Sequence, residues 1–444
     1  MKKKVLVVGG GGREHAILDA LSRSAQVAKI YCAPGNAGIA AQAECVPLKD
    51  TDVEGVLAFA QREGIDLTVV GPEAALAAGI VDRFRAAGLK IFGHTQAATA
   101  IESSKDFAKR LMAQAGVPTA AYRTFTQFDE ALAYVKAGAF PTVIKYDGLA
   151  AGKGVVVAAT LEEAEPALRD MLLDGRYGEG KVVIEEFLTG PEFSLMAFVS
   201  GRQVVPMVCA QDHKRAFDGD LGPNTGGMGA YTESFATGHS GLSFITDADY
   251  DFAVSHILQP VADAMANAGT PLSGVLYGGL MKTPSGIKVI EFNARFGDPE
   301  TEVVLPRLES DIYEVFVAAA TGREIPTLNW KDEAVMGVVM ASKGYPGSYS
   351  KGAPIVFNSS AIPNNVIPDQ IRDLGSAFIY HMGTKRTDDG SIVTAGGRVL
   401  MVISSAPTIS EAARRCYAGV TRIQCDNLFY RKDIAKFVLS SFRA

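Results

Sequence analysis

The chain has few of the features that mark secreted, membrane-spanning or nucleic-acid-binding proteins. Its 444 residues include only five cysteines, and none stands in a C-x-x-C pair, which argues against structural zinc and favours reduced thiols. No uninterrupted apolar run approaches the ~20 residues that a membrane helix needs. The net charge of −6 argues against nucleic-acid binding through an overall basic field. We therefore expect a cytoplasmic protein whose partners are neither membranes nor nucleic acids.

The composition is that of a folded protein with several domains. Hydrophobic residues make up 48% and charged residues 21% of the chain, which is enough for buried cores. Residues 1–8 have three lysines followed by an apolar run, but residues 9–12 are all glycine, so this start predicts a strand rather than a signal peptide. We predict domains at residues 1–102, 103–327 and 328–444, with a flap subdomain at about 120–190. The oligomeric state is left open, with a monomer as the working expectation.

Residues 2–100 alternate short β-branched runs with amphipathic segments, which predicts a small doubly wound α/β domain. Its strands end in three loops, at residues 9–12, 34–38 and 71–73, and such loops crowd the edge where open α/β sheets bind ligands. The glycine turn lacks the G-x-G-x-x-G spacing of dinucleotide sites, so NAD is rejected. A phosphorylated small substrate fits this edge, and the alternative for any single loop is a tight turn without a ligand.

A second glycine-rich segment follows a strand that ends in Lys145. Residues 147–154 read Asp-Gly-Leu-Ala-Ala-Gly-Lys-Gly and connect that strand to the next one, at residues 155–157. The segment is not a Walker A loop, because its glycines are too close together and Gly154 stands where serine or threonine should be. Glycines that allow close backbone approach, with Lys145 and Lys153 to neutralise charge, nevertheless predict a phosphate flap.

Two further segments combine strands with polar residues. Between the strands at residues 181–185 and 193–199, a hinge carries Glu186, Leu188 and Glu192, although a hairpin with charged shoulders would give the same pattern. Residues 209–230 are predicted to form one long polar loop, and loops of that length in compact domains are usually functional. His213 in this loop has no visible partner and receives no catalytic role.

The clearest chemical pattern lies at residues 289–300, at the end of a predicted hairpin. Glu291 and Asn293 alternate along a strand and so share a face, and Arg295 continues it. Carboxylate and amide oxygens suit Mg²⁺, although a solvated strand edge is the simpler alternative. The neighbouring strand, residues 276–281, offers no third acid. Residues 250–267 and 301–320 are predicted to be helical, and the strand-rich region after residue 328 shows no group of chemical side chains.

In their order along the chain, these pieces resemble the ATP-grasp ligases. Within that superfamily, five motifs resemble the phosphoribosylamine–glycine ligase family, and the resemblance runs essentially from end to end. The five motifs are Gly11-Gly12-Arg13-Glu14-His15-Ala16, Pro34-Gly35-Asn36-Ala37-Gly38, Asp212-His213-Lys214-Arg215, residues 222–229, and Arg295-Phe296-Gly297-Asp298-Pro299-Glu300.

The resemblance implies a fold, a reaction and its ligands. The expected fold is α/β, with a doubly wound N-terminal domain, ATP-grasp α+β domains and a small strand-rich C-terminal domain. The expected reaction joins glycine to 5-phosphoribosylamine at the expense of ATP, through glycyl phosphate, in the second step of purine synthesis. ATP and Mg²⁺, with Mn²⁺ as an alternative, are the implied cofactors. Because a phosphate leaving group activates the carboxylate, no covalent enzyme intermediate is needed.

The resemblance also implies roles for individual residues. Arg295 would stabilise the transferring phosphoryl group or hold the glycine carboxylate, and Asp212 would hold the glycine ammonium. Glu291 and Asn293 would bind the metal. The nucleotide would contact Lys105, Lys145, Gly152, Lys153, Glu185, Glu186, Leu188 and Glu192. The remaining substrate contacts would come from Gly11, Gly12, Asn36, Gly38, Glu73, Lys214, Arg215, Gly297 and Asp298.

Two rival functions stay open at this point. Another ATP-grasp ligase, such as a carboxylase subunit or a ligase for a different amino acid, would share the nucleotide site and differ in the substrate loops. A nucleotide-sensing protein would keep ATP binding without glycine-dependent release of ADP, but it would have little need for two metal ligands together with Arg295.

Overall fold

A computed structural model describes residues 2–148, 154–176, 178, 180–358 and 377–441 of the chain. Over these residues, no helix combines the length and the apolar character required to span a membrane. The architecture consists of three successive layered units, and the expected α/β class is confirmed.

The first unit is a five-stranded parallel sheet with the strand order β3-β2-β1-β4-β5. Its strands are Lys3–Gly9 (β1), Val27–Pro34 (β2), Glu44–Cys45 (β3), Leu67–Val70 (β4) and Ile91–Phe92 (β5). Its helices are Gly12–Ser22 (α1), Val53–Glu63 (α2), Glu73–Ala77 (α3), Ile80–Ala86 (α4) and Ala100–Ser103 (α5). The apolar centre of β1 is fully buried between helices on both faces, as a parallel sheet requires. The carboxyl ends of β1, β2 and β4 therefore meet at one edge.

The second unit contains two antiparallel sheets. The smaller sheet has the order β6-β9-β7-β8 and is covered by two helices. In chain order its region contains Lys105–Ala115 (α6), Tyr122–Phe125 (β6), Phe128–Ala137 (α7), Thr142–Tyr146 (β7), Val155–Ala158 (β8), Leu161–Leu172 (α8) and Val182–Glu186 (β9). Strands β7 and β8 pair directly, so the segment after Lys145 connects two antiparallel strands, as the sequence predicts.

The larger sheet of this unit has the order β11-β10-β16-β17. Its region contains Glu192–Gly201 (β10), Gln203–Pro206 (β11), Gln211–Asp212 (β12), Arg215–Phe217 (β13), Leu221–Asn224 (β14), Gly229–Thr232 (β15), Asp247–Ala253 (α9), Gln259–Asn267 (α10), Leu272–Thr283 (β16), Gly286–Asn293 (β17), Thr301–Val304 (α11) and Ile312–Ala320 (α12). A π-helical turn at Val254–Leu258 joins α9 to α10, so the helix predicted over residues 250–267 is continuous.

The helix predicted over residues 301–320 is interrupted. It consists of α11, a 3₁₀ turn at Leu305–Arg307 and α12. Pro306 lacks a backbone N–H donor and disfavours a helical conformation at the residue before it. Asp311 then caps a new helix, because its carboxylate accepts a hydrogen bond from the Tyr313 N–H at 3.0 Å.

The third unit is built on the sheet β12-β15-β18-β23-β20, with β25 also pairing with β18. Its elements are Ala334–Ser342 (β18), Val356–Phe357 (β19), Phe378–His381 (β20), Thr384–Arg386 (β21), Ile392–Thr394 (β22), Arg398–Ala406 (β23), Ile409–Val420 (α13), Ile423–Gln424 (β24), Leu428–Phe429 (β25) and Lys436–Ser441 (α14). Two strands of this sheet, β12 and β15, come from the second unit. The third unit is therefore joined to the segment around Asp212 by backbone hydrogen bonds.

Candidate functional site

The predicted metal ligands lie on a β-hairpin. Strands β16 and β17 are antiparallel, and their register places Glu291 opposite Gly279 and Asn293 opposite Tyr277. Glu291 and Asn293 therefore project from the same face, as predicted. The position facing Glu291 is a glycine, so the neighbouring strand supplies no third acid. Among the described residues, no group of three His, Cys, Asp or Glu side chains could hold a metal by itself.

Four cationic side chains surround the Glu291 carboxylate. Burial alone would raise the pKa of Glu291, but Lys214, Lys145, Lys105 and Arg295 together hold it below its usual value. Lys105 is the first residue of α6, which Ser104 caps by accepting a hydrogen bond from the Phe107 N–H at 3.1 Å. We call Lys105, Lys145, Lys214, Glu291 and Asn293 the hairpin face. Its cations outnumber its acids, as a site for a polyanion requires.

Two lysines on the hairpin face already contact backbone carbonyls. Lys105 donates through Nζ to the Gly148 carbonyl at 3.1 Å, and Lys145 donates to the Ile290 carbonyl at 3.0 Å. Burial lowers the pKa of Lys105, and the charge of Lys145 acts in the same direction. Gly152 and Lys153, which the sequence assigns to the flap, lie outside the described residues.

Glu185 joins Lys145 to a second buried lysine that the sequence did not indicate. Its two carboxylate oxygens lie 3.0 Å from Lys145 Nζ and 2.9 Å from Lys109 Nζ. Lys109 also donates to Thr119 Oγ1 at 2.8 Å. Burial lowers the pKa of Lys109 to about 8, although Glu185 opposes the shift. The Glu185 side chain thus lies under the hairpin face and holds the two lysines, rather than facing the hinge.

The hinge residues differ in how many of their polar groups already have a hydrogen-bond or ion-pair partner. The carboxylate of Glu186 accepts hydrogen bonds from the Ala121 N–H at 3.1 Å and from Lys288 Nζ at 3.0 Å. Leu188 is half-buried, and within the described ranges no hydrogen bond involves its backbone. Glu192 lies 2.8 Å from Lys214 Nζ, so in this structure its carboxylate is paired with a lysine of the hairpin face.

Residues 209–230 are not the single loop that we predicted. They contain the short strands β12 to β15, and β15 pairs with β18 of the third unit. The many glycines of this segment led to the prediction of a loop. Gly229, for example, lies in β15 with a positive φ of 157° and packs against the Gly337 carbonyl. Arg215 is exposed and donates to the Gly222 carbonyl. Arg215 thus lies on the separate hairpin formed by β13 and β14, and not on the hairpin face around Glu291.

Asp212 lies beside Lys214 at the inner end of this segment. Burial raises the pKa of Asp212 to about 7, and the carboxylates of Glu300 and Glu192 add to the effect while Lys214 opposes it. Glu300 itself accepts hydrogen bonds from Tyr277 Oη at 2.8 Å and Ser194 Oγ at 2.9 Å. His213 is not equipped as a base, since burial lowers its pKa to about 4.

Arg295 is held by two acids from the first unit. Its Nη2 lies 3.1 Å from Glu102 Oε1, and its Nε lies 3.5 Å from Glu73 Oε2. Nη2 also donates to Asn293 Oδ1 at 3.1 Å. The other oxygen of Glu102 accepts from the Ala294 N–H at 2.7 Å. Glu102 was missed from the sequence, where the only available signal was a single acid three residues before Lys105.

The glycine turn after β1 contains an internal acid. Glu14 accepts a hydrogen bond from the Gly11 N–H at 2.6 Å and pairs with Arg13 Nε at 2.6 Å. A Cβ on Gly9 or Gly71 would come within 2.5 or 1.9 Å of the Glu14 side chain. The Glu14 carboxylate therefore already accepts a hydrogen bond from the first N–H group that a phosphate would reach at the start of α1.

The other predicted residues of the first unit support this turn. Asn36 donates through Nδ2 to the carbonyls of Gly10 and His381, at 2.9 and 2.8 Å. Its Oδ1 accepts from the backbone N–H groups of Gly38 and Ile39. The Asn36 side chain thus fixes two loops and keeps no free donor. Gly38 has no room for a Cβ, which would lie 2.4 Å from the His381 ring.

Asp298 connects the glycine turn to the third unit. Arg398 Nη1 lies 3.0 Å from Asp298 Oδ1 and donates to the Asp298 carbonyl at 2.8 Å. Gly297 is closely packed, since a Cβ there would lie 2.6 Å from Glu300 Oε2. Arg398 was missed, because its strand has no polar pattern apart from this residue. The C-terminal part thus brings one charged side chain to the site, and its lack of a group of chemical side chains stays a prediction.

We call Gly11, Arg13, Glu14, Glu73 and Asp298 the glycine-turn face. Gly12 lies beneath it, and a Cβ there would meet Glu302 Oε1 at 2.4 Å. The two faces meet at Arg295, which contacts Asn293 on one side and Glu73 on the other. The structure thus brings predicted residues of the first two units to one site, together with Arg398 of the third unit, apart from the outward-facing Arg215 and the undescribed flap residues.

Comparisons with known proteins agree with this arrangement. Three domain profiles of phosphoribosylglycinamide synthetase match the chain: the N domain at residues 3–102, the ATP-grasp (A) domain at 103–301 and the C domain at 335–437. A phosphoribosylamine–glycine ligase of Halalkalibacterium halodurans is 51% identical over 97% of this chain and 96% of its own. One from Escherichia coli O6:H1 is 47% identical over 97% of each chain.

Solved structures give the same result at the level of the fold. The crystal structure of a phosphoribosylamine–glycine ligase from Thermotoga maritima superposes with a TM-score of 0.81 at 30% identity, covering 97% of this chain and 100% of that one. A biotin carboxylase from Campylobacter jejuni, in complex with an ATP analogue, superposes with a TM-score of 0.72 at 14% identity over 97% and 93% of the two chains. The latter likeness concerns the fold alone.

Proposed function

The chain belongs to the phosphoribosylglycinamide synthetase family, and from this premise we propose how its residues divide the work of the reaction. It is an ATP-grasp ligase that joins glycine to 5-phosphoribosylamine in the second step of purine biosynthesis. The observation that carries the proposal is the surplus of cations around Glu291 on the hairpin face. Such a surplus is costly without a polyanion, and ATP supplies one.

We propose that Lys105 and Lys145 neutralise the ATP phosphates. The charges of both ammonium groups lower the pKa of Glu291, and Glu185 lies 3.0 Å from Lys145 Nζ. Gly152 and Lys153 complete the phosphate contacts by the family resemblance. The adenine edge pairs with the backbone of Glu186 and Leu188, since the Glu186 carboxylate is occupied by Ala121 and Lys288. Glu192 is proposed to reach the ribose once ATP draws Lys214 away from it.

Mg²⁺, or Mn²⁺ in its place, is proposed to bind Glu291 and Asn293. The two residues offer hard oxygen ligands on one face, and with Gly279 opposite they leave room for phosphate oxygens and water. Mg²⁺ keeps several waters and binds through one or two protein oxygens together with substrate phosphates, so two ligands fit it. Held there, the metal would neutralise negative charge on the phosphoryl group in transfer.

Glycine is proposed to bind between Asp212 and Arg295. Its ammonium group would face the Asp212 carboxylate, and its own carboxylate would lie toward Lys214 and Arg295. Transfer of the γ-phosphoryl group to that carboxylate gives glycyl phosphate and ADP, which converts a poor electrophile into an acyl phosphate. The chain's role is to orient the two reactants and stabilise charge, since none of its side chains needs to form a bond.

Phosphoribosylamine is proposed to bind on the glycine-turn face, where Gly11 allows close backbone approach while Gly12 and Gly38 make room for Glu302 and His381. Glu73, Asp298 and Gly297 border the same space, whereas Asn36 acts by holding two of its loops together. Arg215 would contribute only through a movement of the β13-β14 hairpin. The amine then attacks glycyl phosphate, an N–C bond forms, and phosphate leaves with the electron pair of the C–O bond.

Three broader features are part of the proposal. The domain limits are residues 1–102, 103–327 and 328–444. The partners are the small molecules ATP, glycine and 5-phosphoribosylamine, and the enzyme acts as a monomer. The compartment is the cytoplasm, in keeping with cysteines that are all unpaired in the structure.

The test is release of ADP with phosphoribosylamine generated in the assay. We expect release to require glycine and metal ion, and to reach its full rate only when the amine is also present. Full release without glycine would contradict the assignment and favour another ATP-grasp ligase. Binding of ATP without any glycine-dependent release would favour a nucleotide sensor.

A further inference from the structure

The amide-forming step releases a proton, and none of the residue roles proposed above includes accepting it. The attacking nitrogen carries an extra proton once its bond to the glycyl carbon has formed. A positioned base contributes typically 10²–10⁴-fold to such a step. The base must lie on the glycine-turn face, because the amine arrives from that side, and it must keep an oxygen free of other partners.

Most acids around the site are already engaged. Glu14 is held by Gly11 and Arg13, and Glu300 by Tyr277 and Ser194. Glu73 and Glu102 contact Arg295. Glu192 is paired with Lys214. These carboxylates are anchors, and a base that had to break such contacts at each turnover would be poorly suited to the task.

Asp298 differs from these acids. Arg398 Nη1 lies 3.0 Å from its Oδ1, as an ion pair without a hydrogen bond, and donates to its backbone carbonyl at 2.8 Å, while no hydrogen bond reaches its Oδ2 from any residue that the structure describes. Oδ2 faces the glycine turn, since a Cβ built on Gly11 would lie 3.5 Å from it. The side chain is 16% exposed, so a ligand in this space can reach it.

The neighbouring acid, Glu302, also differs from Asp298 in its surroundings. It is fully buried, and neither of its oxygens has a hydrogen-bond partner among the described residues. Burial raises the pKa of Glu302 well above its usual value, and the nearby Asp298 charge raises it further. Of these two acids, Asp298 is therefore the one that a cation, Arg398, reaches, while burial disfavours the charged form of Glu302.

We propose that Asp298 is the base that accepts the amine proton, and that Arg398 is the positioning residue that aims its free oxygen at the nitrogen. The inference rests on the proposed function. As the N–C bond forms and phosphate departs, one proton moves from the nitrogen to Asp298 Oδ2, and it is returned to water after product release. The third unit thus takes part in catalysis through Arg398.

The test separates the two half-reactions. Hydroxylamine, at high concentration and without phosphoribosylamine, traps glycyl phosphate as glycyl hydroxamate and needs no base on the glycine-turn face. For Asp298→Asn we expect hydroxamate formation within twofold of wild type, whereas ligation at saturating phosphoribosylamine falls at least ~100-fold. Asp212→Asn is the matched control, because loss of the proposed ammonium contact should lower both rates together.

Three outcomes would overturn the assignment. Unchanged ligation by Asp298→Asn would show that Asp298 is not the base. An equal fall in both half-reactions would show that Asp298 has a structural role. Should Asp298→Asn fail to fold, Asp298→Glu is expected to fold and keep at least a tenth of the ligation rate, and a complete loss of ligation in a folded Glu variant would also contradict the role. A wild-type enzyme that forms no hydroxamate from glycine would instead contradict the proposed function itself.

The positioning role of Arg398 has its own readout. Arg398→Lys keeps a cation near Asp298 Oδ1 but loses the second donor position of the guanidinium. We expect kcat for ligation to fall roughly tenfold with the KM for phosphoribosylamine unchanged, and Arg398→Met to lose more. Equal kcat values for the Lys and Met variants would show that the charge near Asp298 has no part in the step.

Discussion

On the hairpin face three lysines outnumber one carboxylate, whereas on the glycine-turn face Arg13 is bound to Glu14 at 2.6 Å. The acids that pair with two of these lysines, Glu185 and Glu192, lie outside the hairpin face. The cations of one face are therefore held from outside it, whereas the cation of the other is neutralised within its own turn.

The difference follows from what each face is proposed to bind. A polyphosphate brings several negative charges and a metal ion, so lysines that can exchange their present partners for phosphate oxygens gain most when it binds. Phosphoribosylamine brings a 5-phosphate besides its hydroxyl and amino groups, and a rigid, internally paired surface provides direction for these groups. Mutations of the hairpin face should therefore act on turnover, and mutations of the internal Arg13–Glu14 pair should act on stability.

The largest effect is expected from Glu291→Gln, which removes the proposed metal carboxylate while preserving its shape. We expect kcat to fall roughly 10³-fold, or about 4 kcal/mol, with an unchanged melting temperature. Turnover measured across a magnesium titration checks this. Glu44→Gln, at an exposed ion pair with Lys29, is the control. Wild-type turnover at limiting magnesium would remove Glu291 from the metal site.

Glu14→Gln should show the reverse pattern. It leaves the buried Arg13 with Glu73, 3.9 Å away, as its remaining acid, so we expect a loss of about 3 kcal/mol in the free energy of unfolding. The KM for ATP should stay within twofold, because the hairpin face is untouched. Urea unfolding and ATP kinetics measure the two quantities. A stable variant with impaired ATP binding would break the contrast between the faces.

Glu102→Gln probes the junction of the two faces. The amide can still accept the hydrogen bond from the Ala294 N–H, but it no longer offers a charge to Arg295. We expect kcat to fall roughly tenfold, or about 1.4 kcal/mol, with little change in stability. Steady-state kinetics with glycine and ATP varied in turn provide the measurement. A variant that matches wild type in every parameter would show that Arg295 is held sufficiently by Glu73 and Asn293.

The smallest effect concerns an ion pair that belongs to neither face. Burial alone would raise the pKa of Asp433, but hydrogen bonds from Arg431 and the Gly219 N–H lower it to about 2. Because the folded pKa lies below the unfolded value, the pair stabilises the fold above about pH 4, and the contribution disappears as the pH falls through 2. After allowance for solvent screening it amounts to about 1 kcal/mol.

Asp433→Asn should therefore be less stable than wild type at pH 7 and converge with it toward pH 2. Urea midpoints at pH 7, 4 and 3 follow the convergence. A constant difference across this range would indicate lost packing rather than lost charge. This value also sets the scale against which the Glu14→Gln result can be judged.

The sequence predicted the local parts of the site and missed the pairs that connect distant parts. Strand alternation correctly placed Glu291 and Asn293 on one face, and the hairpin and the parallel first sheet are as expected. Lys109, Glu102 and Arg398 were not foreseen, because each acts through a partner far away in the chain, such as Ala294 for Glu102. Local periodicity carries no signal for such contacts. The roles of the individual site residues remain predictions.

The same limit explains the errors in secondary structure. Residues 209–230 were predicted to be one loop because glycine and charged residues dominate them, yet pairing with β18 stabilises short strands there. Tertiary pairing of this kind overrides local composition. Conversely, the break in residues 301–320 has a local cause in Pro306, which could have been given more weight.

The bond from the Asn36 side chain to the His381 carbonyl has a consequence for how the protein is made. A ribosome adds about 5–20 residues per second, and N-terminal domains fold first. The first unit can therefore form its sheet early. The Asn36 side chain, however, can make this hydrogen bond only after His381, 345 positions later, has been translated. A nascent chain that has emerged as far as the hairpin face would hold the residues proposed to bind the nucleotide, while the proposed amine site still lacked its contact with the third unit.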